Sequence, residues 1–133
     1  RDQPRSRGLG DVYKRQVMTL ENVRELMGYA ENVTAELSVR KYILSLVTAT
    51  RNSDYVKLGV SPRGSIALLK ASKAYAFVQG RGFVMPDDVK AVMPDVLAHR
   101  LMLSPKGKSA FENERKALEN IALTVKSPDA IEK

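Results

Sequence analysis

The sequence predicts an all-α fold, a small bundle of about five helices with room for one short β-bridge. Three observations predict it. Apolar residues recur at intervals of three and four, not two, through residues 17–126. The periodic segments carry helix punctuation, with Ser61-Pro62 and Pro86 at starts and Gly80 and Ser127-Pro128 at stops. A length of 133 residues suits one domain with its own core.

Residues 1–16 show neither period, hold two glycines, a proline and five cations, and are expected to be disordered. Their second half, Gly-Leu-Gly-Asp-Val-Tyr-Lys-Arg-Gln, resembles translated sequencing adaptor, so a non-native leader is expected; a native basic arm is the alternative. Thr19 suits the cap of a helix over Leu20–Glu31, with Leu20, Val23, Leu26 and Met27 on one stripe. A second helix is expected over about 35–52, with Val39, Ile43, Leu46 and Val47 at core spacing and Leu37 and Leu44 beside them. Asn52-Ser53-Asp54 ends it, and a loop runs to Gly59.

The third helix, about 65–79, follows Gly59-Val60-Ser61-Pro62-Arg63-Gly64. Ser61 suits an N-cap whose hydroxyl accepts a first-turn amide, and Pro62 the first helical position. Ile66, Leu68, Leu69, Tyr75, Phe77 and Val78 spread around most of its circumference, which predicts a central helix approached closely at its alanines. Gly80 suits the left-handed position after it, and Phe83-Val84 a short extended connector. Pro86 opens a fourth helix, with Asp87 and Asp88 at its positive end. That helix is expected to break at Pro94 and resume over 95–101. Residues 104–109 read as a flexible loop, 111–125 as a last helix and 127–133 as a frayed tail. The expected domain is 17–126, divided into a linker helix (17–32), a core (33–103) and a C-terminal loop and helix (104–126).

Charge and composition exclude more than they specify. The formal charge is +7, of which residues 1–16 supply +3; in the remainder acids and bases are interspersed, which argues against nucleic acid as the partner. No cysteine is present, so disulfides and thiolate metal sites are excluded and a cytoplasmic setting is expected. His99 is the single histidine, too few for a histidine metal site, and no metal site is expected. No apolar run approaches the ~18 residues of a membrane span. Gly107-Lys108-Ser109 imitates the end of a phosphate loop, but Met102 stands where the leading glycine is required. No nucleophile–base pair stands out, so the chain alone is not expected to be an enzyme.

Arg63 is the residue that local chemistry does not explain. A cation in a helix's first turn opposes the dipole by roughly 0.3–1 kcal/mol, so an anion is expected opposite it, either a carboxylate or a phosphate.

Four ordered segments then carry a family resemblance: Tyr42-Ile43-Leu44-Ser45-Leu46-Val47-Thr48-Ala49-Thr50-Arg51, Leu58-Gly59-Val60-Ser61-Pro62-Arg63-Gly64, Gly80-Arg81-Gly82-Phe83-Val84-Met85-Pro86-Asp87-Asp88-Val89, and Val96-Leu97-Ala98-His99-Arg100-Leu101. Residues 17–125 resemble the C-terminal lid subdomain of MoxR-type AAA+ ATPases. The resemblance implies a sensor-2 role for Arg63, reaching the γ-phosphate of ATP in a neighbouring α/β core, with Gly59, Ser61 and Pro62 shaping the site. Arg51, Arg81, His99 and Arg100 match the pattern as interface or structural positions. Met85 departs from the usual Thr or Ser, and Gly64 from the usual alanine. The resemblance further implies a hexameric parent using ATP and Mg, a chaperone-like role in protein or cofactor maturation, and a von Willebrand A-type partner; the Walker segments, sensor 1 and arginine finger are missing. The rival readings are a free-standing helical interaction module and, third, a small DNA-binding domain.

Overall fold

The computed structural model describes residues 20–128. The expected leader, the Thr19 cap and the last five residues of the expected tail lie outside them. Two units are distinguished, one ending at Asn32 and one beginning at Val33. In the first, helix α1 spans Leu20–Glu31, as the stripe predicts, and the Asn32 N–H closes its last turn on the Tyr29 carbonyl at 3.0 Å. The side chains of Leu20, Val23, Leu26 and Met27 lie outside the described ones.

The second unit is built on helices α2 (Leu37–Asn52), α3 (Pro62–Val78), α4 (Pro86–Leu97), α5 (Pro105–Ala110) and α6 (Glu114–Leu123). On α2, Val39, Tyr42, Ile43, Leu46, Val47 and Thr50 are buried at the expected spacing, whereas Leu37 and Leu44 stay exposed. Helix α3 packs most extensively on α4 and also on α2, while α6 closes over α4 and α2. Leu46, Leu68, Val89, Met93, Leu97 and Leu118 are fully enclosed where these helices meet.

Several expectations are corrected. The loop before Gly59 contains a strand, β1 (Val56–Leu58), paired antiparallel with β2 (Met102–Leu103). The anticipated bridge lies at Phe83, paired with Thr34. Helix α3 is not buried all round. Its buried stripe is Gly64, Leu68, Ser72 and Ala76, one residue per turn and mostly small, which lets α4 come close. Ile66 and Val78 face out.

Helix α4 does not break at Pro94. The missing N–H would have served the Lys90 carbonyl on the exposed side, where water can take its place, and Met93 and Leu97 hold the inner face in the core. A 3-10 turn, Ala98–Arg100, follows.

The expected loop at 104–109 is helix α5. The Ser104 hydroxyl accepts the Gly107 N–H at 3.1 Å and donates to the Asp54 carbonyl at 2.7 Å, so the cap also ties α5 to the turn before β1. Gly107 sits so close to that turn that a Cβ would stand 2.1 Å from the Tyr55 carbonyl oxygen. Phe111 ends α5 and does not begin the last helix; its ring meets Tyr55 edge-on at 5.0 Å. Helix α6 starts after Asn113, whose side chain accepts the Lys116 N–H.

Candidate functional site

Helices α3 and α4 run antiparallel, as their end contacts show: Gly64 at the start of α3 lies against Leu97 at the end of α4, and the turn after α3 is tied to the start of α4. The bundle therefore has two distinguishable ends. One collects the C-terminus of α2, the N-terminus of α3 and the 3-10 turn after α4. It carries Arg51, Arg63, His99 and Arg100, all exposed.

The loop Gly59–Gly64 at this end is held tightly. Val60 is fully buried. Its N–H is accepted by the Thr50 hydroxyl at 3.1 Å, and its carbonyl receives the Arg51 Nε at 3.0 Å. The Thr50 hydroxyl in turn donates to the Val47 carbonyl at 2.6 Å. Gly59 lies on the Arg51 backbone, where a Cβ would stand 2.7 Å from Cα; at Gly64 a Cβ would stand 2.0 Å from a Val60 methyl. The glycine at 64 is thus matched to the valine at 60.

Ser61 occupies the N-cap position with extended backbone, and Pro62 the first helical position, as expected. The hydroxyl, however, accepts no first-turn amide; the Gly64 N–H bonds to the Ser61 carbonyl instead. Arg63 follows, exposed on the first turn of α3. Among the described residues its side chain makes no hydrogen bond and no ion pair, so no described carboxylate is the anion expected opposite it.

Arg81 is not part of this constellation. It stands at the opposite end of α3, after a Schellman turn in which Gly80 adopts φ 85° and the Arg81 N–H reaches the Ala76 carbonyl. Its guanidinium grips both oxygens of buried Asp88 at 2.6 Å, and Asp88 also accepts the Met85 N–H at 2.7 Å. Asp88 thereby supplies the reciprocal half of a capping box, taking the Met85 N–H, while its own N–H bonds to the Met85 carbonyl. Burial disfavours the Asp88 carboxylate, but the hydrogen bonds from Arg81 and Met85 and the guanidinium charge outweigh it and hold the pKa below its ordinary value of 3.8. The hydrogen bond to Asp88, and then its charge, raise that of Arg81 against the opposing desolvation.

Thr50 is the site residue that sequence reasoning passed over. The available signal was its position on the α2 core stripe, seven residues after Ile43, where a hydroxyl requires partners. Among the described residues no group of three or more His, Asp or Glu side chains could hold a metal ion, and no helix is long and apolar enough to cross a membrane.

The family profile of the AAA lid domain matches residues 48–121, from the end of α2 into α6. The protein YeaC of Bacillus subtilis is 41% identical over 112 residues, covering 84% of this chain and 35% of that protein. Protein MoxR of Paracoccus denitrificans is 38% identical over 68% of this chain and 30% of its own length, and chaperone MoxR1 of Mycobacterium tuberculosis 33% identical over 73% and 28%. A crystal structure of a protein named as an ATPase, from Cytophaga hutchinsonii, superposes with a TM-score of 0.72 at 32% identity, covering 80% of this chain and 35% of that one. The chain spans about a third of the length of these relatives. It belongs to the AAA lid domain family, in the form carried by MoxR proteins.

Proposed function

We propose that the chain serves as the lid of a MoxR-like AAA+ ATPase and that Arg63, in the sensor-2 position, contacts the γ-phosphate of ATP bound in an adjoining α/β core. The observation that carries this is Arg63 itself. It stands exposed on the first turn of α3, three residues after Val60, whose backbone is held by Thr50 and Arg51, without a partner among the described residues. A planar guanidinium offers two parallel N–H donors to phosphate oxygens, and its charge complements the negative charge spread over the transferring phosphoryl group. Bound ATP would supply the phosphoanhydride to be cleaved; the lid would bring Arg63 to it.

The surface supports a lid over a self-sufficient module. Leu44 and Ile66, both more than half exposed, line one shallow groove with Ile43 and Leu69, an apolar face that a free-standing domain would close with polar residues. In this reading the ATP-binding core and its Mg ligands come from outside these residues, the parent works in the cytoplasm as a hexameric ring, and its clients are proteins or cofactors being matured, with a von Willebrand A-type partner. The relative named chaperone MoxR1 is consistent with that role.

The test places Arg63→Ala in the intact ATPase that carries this lid. Loss of one preorganised charged donor is expected to lower kcat for ATP hydrolysis by about 10²-fold. Hydrolysis near the wild-type rate would remove Arg63 from the mechanism.

A further inference from the structure

Arg63 can act only if the start of α3 points it correctly, and the residue expected to fix that start, Ser61, does not do so with its side chain. The fixed point is Val60, three residues before Arg63. Both polar groups of its backbone are taken by adjacent residues at the end of α2: the N–H by Thr50 and the carbonyl by Arg51 Nε. Its side chain is enclosed and pressed against Gly64, and the preceding Gly59 rests on the Arg51 backbone. Arg51 is an exposed arginine that spends its Nε on a carbonyl nine residues away and makes no ion pair among the described residues. Nothing in the core requires its charge.

We infer that Arg51 is a positioning residue for Arg63, clamping the Val60 carbonyl so that α3 begins in one direction and holds the Arg63 guanidinium toward the phosphate. The inference rests on the reading of Arg63 given above. Arg51 acts through one hydrogen bond, not through its charge. A displacement of about 1 Å in a group that meets the reacting atoms can cost on the order of 10²-fold in rate, so a clamp on the loop that carries Arg63 is worth having.

Side-chain lengths make this testable. Glutamine places its amide nitrogen the same number of bonds from the backbone as arginine Nε, so Arg51→Gln keeps the donor and discards the charge. Methionine places a methyl there, so Arg51→Met keeps the stem and discards the donor. In the intact ATPase, Arg51→Met is expected to lower kcat about tenfold, Arg51→Gln to stay within about threefold of wild type, and Arg51→Met to add nothing further in an Arg63→Ala background. Arg51→Met leaves the Val60 carbonyl without its donor and is expected to lower Tm by a few degrees, Arg51→Gln by less, so kcat is read well below the unfolding transition. The inference is overturned if Gln is as damaging as Met, which would make charge the active property; if Met is harmless; if the Arg51 and Arg63 effects multiply; or if the lost activity returns when the assay is cooled further below Tm. Should Arg63→Ala alone leave hydrolysis intact, it is the reading of Arg63 that fails, and the clamp falls with it.

Discussion

A glycine in a helix is normally a weakness worth about 1 kcal/mol, and replacing it with alanine is normally a gain. Gly64 inverts that rule because the space for a Cβ is filled by a methyl of Val60, which is fully buried and has nowhere to withdraw. Gly64→Ala is therefore expected to cost about 1–2 kcal/mol net, the overpacking exceeding the helix gain. In a Val60→Ala background the same substitution should become neutral or favourable. Denaturant unfolding of the four chains in this cycle checks it, and an equal cost in both backgrounds would show that the two side chains do not compete. From sequence, Gly64 reads as a departure from the usual alanine. That Val60 compensates it is a contact in space and has no local signature. The placement of Arg63 on the first turn of α3 was legible for the opposite reason: the Ser61-Pro62 start signal and the misfit of a cation with the helix dipole are purely local properties.

At the scale of elements, Ser61-Pro62 and Ser104-Pro105 both open helices, yet only the first reads as a helix start from sequence. Ser104-Pro105 is followed by Gly107, which looks like a breaker. Its real task is to let α5 lie on the Tyr55 carbonyl, 52 residues earlier in the chain. Strand β1 was illegible for a related reason: three residues have no measurable period, and its partner β2 is far along the sequence. Helices α1 and α2 were legible because long amphipathic patterns average over many residues. The apolar content of α3 misled, since composition does not distinguish burial from a face left open. The stability consequence is direct. Leu68→Ala, on the buried stripe, is expected to cost about 2–5 kcal/mol, whereas Ile66→Ser, two residues earlier, should stay within about 0.5 kcal/mol. Urea midpoints of the two variants decide this; a comparable loss at Ile66 would mean that the outer face of α3 is covered within the chain.

On the scale of the molecule, the antiparallel α3–α4 pair separates two kinds of arginine. At one end Arg63 is exposed and uncommitted; at the other Arg81 is locked to buried Asp88, which fastens the turn between the helices. The second end has a pH signature whose sign follows from Asp88. Its folded pKa lies below 3.8, so the unfolded chain takes up protons first as pH falls. The stabilisation from the carboxylate is complete above about pH 5, and it declines as pH falls through 3.8 and on through the lower folded value. Arg81, with its pKa raised, stays charged throughout this range and adds no slope. Wild type is thus expected to show Tm falling steeply below pH 4. Asp88→Asn should lower Tm at pH 7, because a guanidinium loses its charged partner, and should flatten the acid limb. In the proposed parent ATPase its effect on hydrolysis, measured well below Tm, should be small, since among the described residues Asp88 bonds only at the other end of α3. A Tm profile from pH 2.5 to 7 together with kcat at pH 7 separates the two ends: an unchanged acid limb would deny Asp88 its fastening role, and a large fall in kcat without unfolding would show that the ends are coupled through α3.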